Sequence, residues 1–334
     1  MNDQSLQEQT KEERQAVLYQ LAQASLPAFG LTGGSLTLLQ DLVNSSFRLQ
    51  HESGRWYLRI YNPARSDRTL VMSELLWLAA LADQGMPVPR PLRTLEQALV
   101  WEALPAFATE PCLIAIFTWL NGSLLPNDQR MPHHFAAVGG LLAKLHNLSA
   151  TWPVPASFKR PRCDAAGIYG TLGVLGQQTI QAWGQLPAHL RTDLLQAQAA
   201  LVRAESAIGS EPTHYGLVHG DPSFGNILFE RGAPFLLDFD DCGYGHYIYD
   251  LAVVLAGAWD KPYFAENCAA LLHGYQQVRE LSNAEIAALP ATMAARAASL
   301  IFWAAAQSQQ HPWIEGQAQR LKEYMNLWQA NTHG

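Results

Sequence analysis

Apolar positions in this chain change their period twice. A polar leading stretch predicts a helix over roughly Ser5 to Ala24. The segment SLTLLQDLVNSSFRLQHESGRWYLRIYNP then alternates as antiparallel strands do: Leu36, Leu38 and Leu42 in a first, Phe47 and Leu49 in a second, and Arg55 to Tyr61 in a third beyond a turn at Glu52-Ser53-Gly54. LVMSELLWLAALADQG switches to helical spacing through Val71, Leu75 and Leu78 and stops at Gly85. After an extended, proline-rich MPVPRP come two more strand-like runs, ALVWEAL and CLIAIFTWL, and then a break at NGSLLP. From Asp128 onward helical stripes dominate, first Phe135, Val138, Leu142 and Leu145, and later several between Ala265 and Trp328. Only GLVHGDPSFGNILF and APFLLDFDDCG interrupt them with short apolar strands. The pattern predicts an α+β, two-part molecule: a small antiparallel β lobe with one key helix over residues 1–118, and a larger, mainly helical lobe over 119–334.

Composition narrows the class. A chain of 334 residues with 49% hydrophobic content can bury two cores without staples. The net charge of −7 is spread evenly, with 9 basic and 12 acidic residues up to position 120 and 13 and 17 after it. No basic field exists to attract nucleic acid or an anionic membrane. Cys112, Cys163, Cys242 and Cys268 lack CxxC spacing, which suits a reducing cytoplasm better than a zinc knuckle or a disulfide framework. The N-terminal MNDQSLQEQTKEERQ has no apolar core, and the late run LPATMAARAASLIFWAAA is broken by Arg296, so neither a targeting segment nor a membrane span is expected.

Chemistry concentrates in residues 217–250. LVHGDPSFGNILF places Asp221 and Asn226 five apart in one turn between apolar runs. An aspartate accepts a proton from an attacking hydroxyl, an amide oxygen is a hard neutral ligand for Mg²⁺, and this is the spacing of a kinase catalytic loop. An ordinary Asx-turn has the same dipeptides, and the spacing alone serves both readings equally. The second stretch, APFLLDFDDCGYGHYIYDLA, tips the balance. Asp238 follows an apolar strand, and Asp240, Asp241 and Asp250 crowd in after it among Leu236, Leu237, Phe239, Tyr244 and Tyr247. Carboxylates packed so densely repel one another unless a cation offsets them.

HGDPSFGN followed by LLDFDDCGYGHYIYDLA resembles the aminoglycoside phosphotransferase and homoserine kinase-like family of small-molecule kinases, with choline kinases more distant. The resemblance runs from about Leu36 to Trp328 and implies a bilobal protein-kinase-like fold that uses ATP and Mg²⁺. It implies that Asp221 is the catalytic base, that Asn226 and Asp238 bind Mg²⁺, that Asp250 steadies the loop from behind, and that His219 is a structural hydrogen-bonder. A kinase-like β lobe also needs a strand cation to grip phosphates and a helix glutamate to orient it. Arg59 in WYLRIY and Glu74 on the apolar stripe of the following helix fit those places. The family commonly has lysine where Arg59 stands, and DLVNSSF lacks the glycines of a phosphate loop, leaving Ser45 and Ser46 as its polar groups. Phe117, Thr118 and Trp119 would flank the adenine.

Only eleven residues separate Asp238 from Asp250, fewer than a protein kinase spends on its activation segment, so a small hydroxyl acceptor is expected. Asp240, Asp241, Tyr244 and Trp259, with Tyr247, Asp260 and Trp313 nearby, could hold an amine-bearing substrate through carboxylate pairing and cation–π contact. The modest acidity of the late lobe favours an amino alcohol or an amino acid such as homoserine over an aminoglycoside. Competing readings are a protein Ser/Thr kinase of the same family, a non-catalytic nucleotide-binding module, and, last, a metallophosphatase built on His219, Asp221, Asp238, Asp240 and His246.

Overall fold

A computed structural model of the chain describes residues 11–63, 67–104, 110–261, 263–307 and 312–333. It divides into two compact units: Met1–Leu120 with Ala156–Lys159, and Asn121–Pro155 with Arg160–Gly334. The division falls two residues beyond the expected position 118, and four residues from the middle of the chain return to the first unit.

In the first unit, α1 (Lys11–Ser25) leads into β1 (Ser35–Asp41), β2 (Ser45–His51) and β3 (Gly54–Tyr61); α2 (Arg68–Asp83) follows, then β4 (Trp101–Ala103) and β5 (Cys112–Thr118). Residues 5–10 of the expected leading helix lie outside the described residues. The five strands form one antiparallel sheet in the order β1-β2-β3-β5-β4. Its apolar face, with Phe47, Leu49, Leu58, Ile114 and Ile116, buries against Leu18, Ala22 and Leu26 of the leading segment. α2 starts where it does because the Asp67 carboxylate accepts the N–H groups of Thr69 and Leu70 at 2.7 and 3.1 Å, which satisfies two otherwise open donors. The returning segment attaches to this helix through Lys159 N–H, which donates to Ser73 Oγ at 2.9 Å.

Two local expectations are corrected. Leu42 is not a strand residue: it lies in the turn after β1 and is 74% exposed. Ser45 and Ser46 do not lie in that turn but open β2, opposite Ile60 and Arg59 of β3. Ser45 Oγ donates to Asp41 Oδ1 at 2.7 Å and so ties the end of β1 to the start of β2, while Ser46 Oγ is buried without a hydrogen-bond partner among the described residues. A small residue is what a buried strand start can accommodate, and buried hydroxyls of this kind are poor groups for gripping a phosphate.

The second unit contains β6 (Ser123–Leu124), α3 (Pro132–Thr151), α4 (Ala165–Ile168), α5 (Gln177–Gln185) and α6 (Ala188–Ile208). Then come β7 (Tyr215–Val218), β8 (Ile227–Glu230), β9 (Ala233–Leu236) and β10 (Gly243–His246), followed by α7 (Ile248–Ala256), α8 (Phe264–Gln276), α9 (Asn283–Ala306) and α10 (Pro312–His333). The short strands make two small sheets, β10-β7 and β6-β8-β9. α3 and α8 approach so closely that a Cβ on Gly139 would lie 2.1 Å from the Leu271 carbonyl oxygen, and one on Gly274 2.0 Å from that of Ala136. α9 is the central helix and packs on α5, α6, α7 and α10. It is long and apolar enough to cross a bilayer by length and composition, yet 67% of its most apolar window is buried within this unit, as suits a core helix. Its start is fixed by Ser282 and Glu285, which cap each other's backbone N–H groups.

Candidate active site

The loop between β7 and β8 carries Asp221 and Asn226, and a single carboxylate holds its beginning. Asp250, fully buried on α7, accepts His219 N–H on Oδ2 at 2.8 Å and Gly220 N–H on Oδ1 at 2.9 Å. The same Oδ2 accepts from His146 Nε2 at 3.0 Å, and His146 Nδ1 takes the Tyr275 hydroxyl at 2.9 Å. Burial pushes the His146 pKa down more than Asp250 raises it, so the ring is the neutral tautomer protonated on Nε2. His219 is fully buried and also committed: its Nε2 donates to the Leu237 carbonyl at 2.9 Å and its Nδ1 accepts Asp221 N–H at 3.3 Å. Gly220 adopts φ +85°, and a Cβ there would sit 2.2 Å from the Asp241 carbonyl oxygen, so only glycine lets the two segments approach.

Asn226 Nδ2 donates to the Asp221 carbonyl at 3.0 Å, which fixes the amide and commits its nitrogen inward. Leu237 N–H donates to the Asn226 carbonyl at 2.8 Å, which brings the residue after it, Asp238, beside the loop. Asp238 is exposed and left-handed at φ 59°, a conformation that costs a non-glycine residue roughly 1–3 kcal/mol and clusters at functional positions. The turn after it is pinned by Arg160, whose guanidinium donates to the carbonyls of Cys242 at 2.6 Å, Phe239 at 3.4 Å and Asp240.

Beside Asp221 lies a cavity of about 410 Å³, formed entirely by the second unit. Its polar part includes Asp221, Asp241, Arg296, Arg162, Thr179 and Ser299, and its apolar part includes Ile168, Leu175, Leu300, Trp303 and Trp313. Arg296 Nη2 donates to Asp221 Oδ1 at 2.7 Å with both side chains mostly buried. Burial pushes Asp241 up to about 7, the charges of Asp221, Asp240 and Asp238 add to that, and Arg296 opposes it. The Arg296 pKa is raised despite its own burial, because Asp221 and Asp241 hold its charge. Arg296 was read in the sequence only as an interruption of an apolar run. An arginine amid alanines and leucines implied a buried anion, and that was the signal available.

Of the four expected substrate residues, Asp241 lines this cavity. Asp240 meets Arg160 through its carbonyl, Tyr244 lies in β10 opposite Leu217, and neither is part of the cavity wall. Trp259 is not part of the cavity wall either. Its Nε1 donates to Glu323 Oε2 at 2.6 Å, and its ring stands edge-on to Phe264 and Tyr324, because α7 ends there against α8 and α10. Trp313 does line the cavity.

In the first unit, Arg59 Nη1 lies 3.6 Å from Glu74 Oε1, both side chains nearly buried, and Tyr61 OH donates to Glu74 Oε2 at 3.4 Å. The carboxylate expected to need a partner on the apolar stripe of α2 therefore has one. Phe117 is buried against Tyr57, and Trp119 carries the Arg55 guanidinium 5.7 Å above its ring.

Residues 36–325 match the phosphotransferase enzyme family. The chain belongs to that family. Over 269 residues it is 30% identical to a homoserine kinase of Gluconacetobacter diazotrophicus, covering 78% of this chain and 77% of the relative. It is 23% identical to amicoumacin kinase of Bacillus subtilis over 272 residues, with the same coverage. A microcompartment-associated aminopropanol kinase superposes with a TM-score of 0.76 at 26% identity, over 92% of this chain and 95% of that one. The fold of this phosphotransferase is thus the protein-kinase-like one that the motif implied.

Among its described residues no group of three or more His, Cys, Asp or Glu side chains gathers as a metal cluster. The Asn226 and Asp238 pair nonetheless fits magnesium by donor chemistry. That ion takes one or two carboxylate or amide oxygens from protein and completes its shell with water and substrate phosphates.

Proposed function

We propose that this phosphotransferase transfers the γ-phosphoryl group of ATP to a hydroxyl of a small molecule in the cytoplasm, with Asp221 as the base. The observation that carries the reading is that Asp221 lines a cavity while its backbone is held by His219 and Asn226 and the loop just before it by Asp250. The acceptor oxygen gives its proton to Asp221, bonds to the γ-phosphorus, and ADP leaves with the electrons of the broken phosphoanhydride bond. Asn226 and Asp238 would hold Mg²⁺, which offsets phosphate charge when bound. Arg59, oriented by Glu74, would bind the phosphates, with Phe117 and Trp119 near the base. Arg296 keeps one Asp221 oxygen engaged and leaves the other for the acceptor.

The competing readings have less support. Both ring nitrogens of His219 are committed, which speaks against a metallophosphatase cluster. A non-catalytic module has no need of Asp221, Asn226 and Asp238 together. A cavity of about 410 Å³ suits a small acceptor better than a polypeptide. Asp241, set among other carboxylates with Arg296 as its counter-charge, adds to the acidity of the cavity, which favours an acceptor bearing an amine. The test is mass spectrometry after incubation of a panel of amino alcohols and hydroxy amino acids with Mg²⁺-ATP. A phosphomonoester on one of them is expected, and transfer only to protein hydroxyls would reverse the choice of acceptor.

A further inference from the structure

The cavity is longer and more apolar than a minimal amino alcohol requires. Arg296, Leu300 and Trp303 stand at i, i+4 and i+7 on one stripe of α9, and all three line it. At 1.5 Å of rise per residue, the stripe runs about 10 Å from the charged end to the indole. There Trp303 and Trp313 meet edge to face, with centroids 5.9 Å apart, and remain 41% and 39% exposed. Two adjacent indoles that both line the cavity form an apolar seat at its edge. Volume agrees with length: an acceptor of about eight heavy atoms, even at a water's share of ~30 Å³ for each, displaces about 240 Å³, well short of the 410 Å³ available.

We propose that the acceptor carries an apolar, ring-sized body that seats against Trp303 and Trp313 while its hydroxyl meets Asp221, so that homoserine or ethanolamine alone would leave the indole end unfilled. This rests on the reading of the cavity as the acceptor site. Asp241 and Arg296 then set the polar end, and the indoles set which alcohols are chosen. A hydrophobic group placed in such a seat discriminates by about tenfold or more per small increment of size.

The test pairs calorimetric titration of the full chain, without nucleotide, with ADP-release kinetics, and uses phenylalaninol, ethanolamine and homoserine as probes. Phenylalaninol is expected to bind at least about tenfold more tightly than either smaller probe, and Trp303→Ala and Trp313→Ala should each shrink that ratio by about tenfold. Both indoles are part exposed, so two independent variants guard against the failure of one to fold. Equal affinities, or a preference that survives both substitutions, would overturn the proposal. ADP release separates the two claims. Release without preference for phenylalaninol sinks this inference and leaves the kinase reading standing, whereas preferential binding with no release from any acceptor keeps the apolar seat and sinks the kinase reading.

Discussion

Asp250 and Asp241 both reach the β7–β8 loop at Gly220, and they meet opposite surroundings. Asp250 is wholly buried behind the loop and is met by three N–H donors, from His219, Gly220 and His146. Asp241 lines the cavity, where the charges of Asp221, Asp240 and Asp238 push its pKa up and Arg296 opposes them. A carboxylate saturated with donors builds a scaffold. One crowded by other carboxylates at a cavity wall is suited to meet a ligand, and that is the role proposed for Asp241.

The largest effect is expected at the saturated carboxylate. Asp250→Ala strands two backbone N–H groups and His146 in the core, so denaturant unfolding should show a loss of about 3–5 kcal/mol; a loss below 1 kcal/mol would make Asp250 dispensable and erase the contrast. Next comes Arg296→Met. It leaves Asp221 and Asp241 facing each other without a cation, and kcat should fall about 10²-fold, with the Asp241 titration displaced to higher pH. An unchanged kcat would mean that the pair with Asp221 is only structural.

The first unit offers a smaller test. The phosphate grip proposed for it rests on Arg59 beside Glu74, and Arg59→Ala should raise KM for ATP about tenfold, while Arg55→Ala, whose guanidinium lies over Trp119, should act much less. Equal effects would refute the assignment of Arg59.

The smallest effect concerns pH. Asp241 releases its proton near 3.8 when unfolded and near 7 when folded, so the folded state holds the proton longer. Its contribution is fully present below about pH 4 and is lost as pH rises through about 7. Asp241→Asn should therefore flatten the decline in stability between pH 4 and 7 and gain on the order of 1 kcal/mol at pH 8, a figure that allows for the partial exposure of the group. A variant with the wild-type slope would show that the proton resides elsewhere.

The five strands and the helix α2 of the first unit were legible from period, because each apolar run there is long enough to bury one face, whereas the short β6 and β10 of the second unit were not. The β1–β2 turn was not. Ser45 and Ser46 look like loop residues, and only pairing with Ile60 and Arg59 reveals them as a buried strand start. In the candidate site, the placement of Asp221 and Asn226 on one loop with Asp238 beside it was legible because their spacing is local. Arg160, His146 and Arg296 were not, since each acts across 75 or more residues of sequence, on carbonyls or carboxylates that spacing cannot bring together. Trp259 shows the converse: an aromatic near the acidic stretch in sequence stands edge-on to Phe264 of α8 and Tyr324 of α10, outside the cavity wall.

The central claim is that Asp221 is the base for transfer to an acceptor in its own cavity. Its most direct test is acceptor-stimulated ADP release by wild type and by Asp221→Asn, with ATP binding of both measured by calorimetry. The expected result is a fall of about 10²–10⁴-fold in stimulated release with ATP affinity retained; stimulated release that persists within a few fold in Asp221→Asn would contradict it.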